Sequence, residues 1–112
     1  MNAEQYRRSR EQAVGAVADV LAVLEGEPRR RDVLFWQNRF AEMARYLANT
    51  EVDDEQALRE TSEFVSELYA RGRNITDFYL VRTDFDEQRA VNIEFENKLA
   101  VLERIVGRGK GL

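Results

Sequence analysis

The chain contains neither histidine nor cysteine. The first absence removes the side chain that titrates near neutral pH and most often serves as general base. The second removes thiolate nucleophiles and disulfides, and together they leave no nitrogen or sulfur ligand for a transition metal. Lysine is scarce as well, with Lys98 and Lys110 standing against 15 arginines. One proline and six glycines are too few for a collagen-like or low-complexity chain. No apolar run is long enough to cross a bilayer, and the charged stretch Met1–Arg8 has no signal-type apolar core behind it. These absences predict a cytoplasmic protein with no metal, no cofactor and no membrane contact. Its remaining chemistry is carboxylate, guanidinium, hydroxyl and backbone, which favours binding or scaffolding over catalysis.

What is present is the makings of a helical core. Of 112 residues, 44% are apolar and 34% charged, with a formal net charge of −4. That length suits one domain over residues 1–112, buried around a single core, with 107–112 as a frayed tail. The acidic balance argues against nucleic acid as a partner.

Four stretches carry helical periodicity. The first runs from about Ala3 to Glu25 and aligns Tyr6, Ala13, Val17, Val20, Leu21 and Leu24; Gly26-Glu27-Pro28 stops it. The second opens near Asp32 as N-cap and places Val33, Trp36, Phe40, Met43, Ala44 and Leu47 on one stripe, ending at Asn49-Thr50. The third begins at Asp53 or Asp54, turns Ala57, Leu58, Phe64, Val65, Leu68 and Tyr69 inward, and stops at Arg71-Gly72. The fourth begins at Thr83 or Asp84 and presents Val91, Phe95, Leu99, Leu102 and Val106. Between the last two, Asn74–Val81 is too apolar for a solvated loop; it reads as a short helical turn on the end of the bundle, with an extended Phe-Tyr-Leu-Val run as the alternative. Short connections favour antiparallel neighbours, so the predicted fold is all-α, an up-down four-helix bundle with an extra turn before its last helix.

Charge gathers in two places. One pole of such a bundle collects Arg29, Arg30, Arg31, Arg71, Arg73 and Arg82 beside Asp84, Asp86 and Glu87. Guanidinium forks suit phosphate or carboxylate, but cations also belong at helix C-termini and the nearby carboxylates neutralise them, so ordinary helix electrostatics suffices. The segment 51–67 carries Glu51, Asp53, Asp54, Glu55, Glu60, Glu63 and Glu67 against Arg59 alone. It lacks the ligand spacing and turn glycine of an EF-hand, leaving either a solvated helix face or a patch that steers a basic partner.

Apolar residues off the core stripes are more informative. At about 100° per residue, Phe35 and Tyr46 fall away from Trp36 and Phe40 but near each other, with Arg39 and Glu42 between them. On the fourth helix Ile93 and Val101 fall opposite Phe95 and Leu99, flanking Asn97 and Arg104. Aromatics beside arginine are what interface cores are made of, although singly exposed apolar residues are common. Arg10 lies within the first helix's apolar stripe, where its guanidinium is expected to snorkel to solvent. Ferritin-like metal sites need a Glu-x-x-His pair that a histidine-free chain lacks.

The run Leu68–Leu80 (Leu-Tyr-Ala-Arg-Gly-Arg-Asn-Ile-Thr-Asp-Phe-Tyr-Leu) resembles a segment of small bacterial helical proteins, some of immunity-protein type. In those a helix ends in a glycine turn followed by Asn or Ser, then Asp and a short apolar run, matched here by Gly72, Asn74 and Asp77. Their Gly-Met-Gly and Asn-Asp elements are missing from this chain. The resemblance implies a protein-binding role and carries no catalytic residue. The expected function is thus a non-catalytic bundle that occludes a partner. Asp54, Glu60, Glu63 and Glu67 would steer a basic protein, while Phe35, Arg39, Tyr46, Phe78, Tyr79, Ile93 and Val101 would supply contact surface. A homodimeric structural or adaptor protein is the alternative, and a small enzyme using arginine and carboxylates comes third.

Overall fold

A computed structural model describes residues 1–70 and 72–107. Four α-helices, α1 (Ala3–Glu25), α2 (Arg31–Leu47), α3 (Asp54–Glu67) and α4 (Phe85–Val106), are joined by short connections, with one 3₁₀ turn at Ile75–Asp77. The fold is the expected all-α up-down bundle with an extra turn before the last helix. Side chains start most of the helices. Asn2 and Gln5 form a reciprocal capping box on α1, Asp53 accepts from the Gln56 N–H, and Asp84 accepts from the Glu87 N–H. The second helix is the exception. It begins two residues earlier than Asp32 suggests, with Arg30 at the cap position and no side-chain cap, while the Asp32 carboxylate accepts from the Val33 N–H inside the first turn. Gly107 ends α4 at φ 72°, a backbone conformation that costs glycine no Cβ clash. The expected fraying of 108–112 falls outside the described residues.

α1 packs against all three other helices. Its inward face is mostly small (Ala13, Ala16, Val17), as is that of α3 (Ala57, Thr61, Val65), so these two can approach closely across the bundle. The buried Thr61 hydroxyl donates to the Ala57 carbonyl, which satisfies it within its own helix. α2 contributes the bulk: Trp36, Phe40, Met43 and Leu47 are all buried.

α3 is shorter than its neighbours, about 21 Å against about 33 Å for α4 at 1.5 Å per residue. The segment after it continues the same corner of the bundle. Ile75 and Leu80 are buried, and the Phe78 ring sits between Trp36 of α2 (6.4 Å between centroids) and Phe95 of α4 (5.7 Å). The segment 74–81 is therefore both things the sequence allowed: a 3₁₀ turn capped by Asn74, then an extended strap. Side-chain amides of α4 hold the strap. Asn92 accepts from the Leu80 N–H at 2.8 Å and donates to the Leu80 carbonyl at 2.8 Å, and Gln88 accepts from the Arg82 N–H at 2.9 Å.

Two arginines lock the ends. Arg10 does not snorkel; its side chain is 14% exposed and its fork binds the α2–α3 connection. Nε and Nη2 donate to the Leu47 carbonyl (3.0 and 2.9 Å), Nη2 also to Asn49 (2.8 Å), and Nη1 to the Val52 carbonyl (2.6 Å) and the Asp54 carboxylate (3.2 Å). The last carbonyls of a helix have no intrahelical donor and carry the negative end of its dipole, so a cation is the fitting cap. At the opposite pole Arg82 grips Glu27 through two parallel bonds of 2.8 and 2.7 Å. That contact holds the Glu27 carboxyl below its ordinary value of 4.5, chiefly through the hydrogen bonds from Arg82.

Candidate protein-binding cleft

The arginine-rich pole predicted from the sequence is divided by the fold. Arg82 is bound to Glu27, and Arg30 lies 3.4 Å from the Asp32 carboxylate while reaching the Tyr79 carbonyl. Arg71 lies outside the described residues. Arg73 stays beside the start of α2, where it and Gly72 (φ 90°) share a hollow with Arg31 and Asp32.

There Arg73 stacks on Phe35, its guanidinium carbon 4.1 Å from the ring centroid, and Arg39 approaches the same ring at 5.1 Å. Phe35 is half-buried and meets Trp36 edge-on, with centroids 4.9 Å apart, so the ring that carries both cations is fixed. Around it opens a cleft of about 300 Å³ between α2 and the end of α3, with Trp36, Met43 and Phe64 on its walls and Arg39, Glu67 and Arg73 at its rim. A hollow of about 440 Å³ adjoins it through Trp36 and Arg73 and extends to Arg31, Asn74, Asp77 and Phe78. Among the described residues no carboxylate pairs with Arg31, Arg39 or Arg73. Arg39 and Arg73, sharing one ring, lie within a Debye length of each other, about 10 Å at 0.1 M salt, with the Glu67 carboxylate on the same rim and Asp32 and Asp77 in the adjoining hollow. Comparison with protein-family models, with curated proteins and with solved structures finds no match to this chain.

The fold brings together part of the predicted contact set. Phe35, Arg39 and Glu67 line the cleft, and Phe78 lines the adjoining hollow while its ring packs between α2 and α4. Tyr46 is half-buried against Phe64 (6.2 Å), which continues the aromatic surface along the α2–α3 seam. Glu63 is exposed and Glu60 half-buried on α3, whereas Asp54 is taken by Arg10. Tyr79 is 58% exposed on the strap, beyond the cleft. Ile93 and Val101 lie on a separate groove between α1 and α4. Sequence reasoning put Phe64 in the core and did not find the stacking of Arg73 on Phe35. The glycine beside Arg73 marked a turn but not its direction.

The cleft offers two guanidiniums, an aromatic floor and the Glu67 carboxylate. Among the described residues no cluster of carboxylates could hold a metal, and no helix is long and apolar enough to cross a membrane.

Proposed function

We propose that this chain is a non-catalytic protein-binding bundle that occludes a partner protein, with an immunity or inhibitor role as its concrete form. The observation that carries this reading is the α2–α3 cleft, in which an aromatic floor is rimmed by guanidiniums free of carboxylate partners. Buried aromatics beside arginine are the composition of binding hot spots. The exposed carboxylates Glu55, Glu63 and Glu67 on α3 add a negative field that draws in a basic protein, and Arg39 and Arg73 then receive its carboxylates.

The test is capture of a partner by the tagged chain from its native host, repeated with two variants whose folding is checked by circular dichroism. Arg39→Glu/Arg73→Glu should abolish capture, and Glu63→Lys/Glu67→Lys should slow association and flatten its salt dependence. Truncating Phe35 should speed dissociation, by about 1 to 4 kcal/mol for a hot-spot residue. A partner retained equally by both charge variants, at any salt concentration, would refute the assignment.

A further inference from the structure

The hollow of about 440 Å³ at the start of α2 holds a polar group that the fold leaves without a partner. Trp36 is 4% exposed, and its indole N–H makes no hydrogen bond among the described residues. A buried donor of that kind calls for an acceptor. It is not sealed in the core, since among the described residues the one fully buried side-chain atom without a hydrogen bond is Arg30 Nε. Helical side chains lean toward the helix N-terminus, so the Trp36 ring lies over the turn of Asp32, on the wall of the hollow. Two cations share that wall. Arg31 and Arg73 pair with no carboxylate among the described residues, and stacking on Phe35 holds the Arg73 guanidinium in place. α2 also starts without a side-chain cap, so its first N–H groups and the positive end of its dipole favour negative charge there.

A plain anion does not fit, because Asp77 lines the same hollow and pairs with no cation among the described residues, while Asp32 lies on it too, 3.4 Å from Arg30. The apolar side chains on the hollow are both aromatic, Trp36 and Phe78. We infer that the hollow binds a free aromatic α-amino acid. Its carboxylate lies between Arg31 and Arg73 and accepts from the Trp36 N–H, its ammonium meets Asp77, and its ring packs on Trp36 and Phe78. Charge decides the class. A carboxylate alone would bring a like charge up to Asp77, and an amine alone would bring one up to two guanidiniums, whereas a zwitterion offers each group its opposite. The volume is that of a small-molecule site, which spans about 300–1,000 Å³. The inference does not rest on the proposed occlusion, because Arg31 and Asp77 line the hollow and not the α2–α3 cleft.

The probe is L-phenylalanine, which is transparent at the wavelengths that excite indole, and Trp36 is the chain's one tryptophan. Its fluorescence and its single indole N–H resonance therefore report on the site directly. Phenylalanine should shift both in a saturable way, with the indole proton moving downfield as it gains an acceptor. Glycine, 3-phenylpropionate and phenethylamine lack the ring, the ammonium and the carboxylate in turn, and each should bind about ten- to a hundredfold more weakly. Arg31→Gln should weaken phenylalanine and 3-phenylpropionate but not phenethylamine. Asp77→Asn should weaken phenylalanine and phenethylamine but not 3-phenylpropionate. Both side chains are exposed, so neither substitution disturbs the core. An indole resonance that stays in place up to about 10 mM phenylalanine overturns the inference. So does an analogue that binds as tightly as phenylalanine, or retention of phenylalanine at the parent affinity by both variants.

Discussion

Replacing Arg10 by methionine keeps the length of the side chain and removes every hydrogen bond it makes, so it isolates the work of the guanidinium. In the native fold that group makes five hydrogen bonds to four acceptors, three of them backbone carbonyls of the α2–α3 connection. A hydrogen bond to a charged group contributes about 1.5–3 kcal/mol, and severing a buried charge from its partners costs about 3–5 kcal/mol. The sum is smaller than five such bonds, because the connection is at the surface and water can replace the guanidinium at its outer carbonyls. We expect Arg10→Met to lower stability by about 2–4 kcal/mol, which at about 4–8 °C per kcal/mol lowers Tm by roughly 8–32 °C. Urea unfolding followed by circular dichroism measures it, with an unchanged slope showing that only stability moved. Arg10→Lys should recover a minority of the loss, since one ammonium cannot span acceptors that the planar fork reaches from three nitrogens. Asp54→Asn should cost less than about 1 kcal/mol, because that carboxylate is 37% exposed and is one acceptor of four. A methionine variant within about 0.5 kcal/mol of the parent would refute the argument that Arg10 clamps α2 to α3.

Phe78 and Tyr79 are neighbours in sequence and should behave differently. Phe78→Ala should cost about 2–4 kcal/mol by urea unfolding, because the ring fills the space between Trp36 and Phe95, while Tyr79→Ala should stay within about 0.5 kcal/mol. The Glu27 carboxyl is held below its ordinary 4.5 by Arg82, so in the unfolded chain it binds protons more readily than in the folded one. Its contribution is complete above about pH 4.5 and is lost as pH falls through the lowered folded value; Glu27→Gln should remove that part of the acid dependence measured by thermal melts. Calcium or magnesium should leave Tm unchanged, since no described cluster of carboxylates could hold either ion, and a shift of several degrees would show a site in the acidic segment.

Helix number, type and most ends were legible in the sequence because their causes are local, the exception being α3, which stops at Glu67 rather than at the expected Arg71-Gly72. A cap acts on a backbone group three residues away, as at Asp53 and Asp84, and an apolar stripe repeats every three or four residues. The start of α2 was misread for the same reason: Asp32 has the chemistry of a cap, but only the backbone decides whether it stands before the first turn or inside it. The off-stripe pairs Phe35 with Tyr46, which flank Arg39, and Ile93 with Val101 were equally legible, each belonging to one helix.

What the sequence could not say is where unlike segments meet. Arg10 and its carbonyls are 37 to 42 residues apart, Arg82 and Glu27 are 55 apart, and no periodicity connects them. Arg73 reaches Phe35 from the connection after α3 to a ring on α2, a contact made only in the packed bundle. Residue spacing determines a helix and its faces. Which face is buried, which arginine is spent as a clamp and which is left without a carboxylate partner are decided only when long-range packing chooses each side chain's partners.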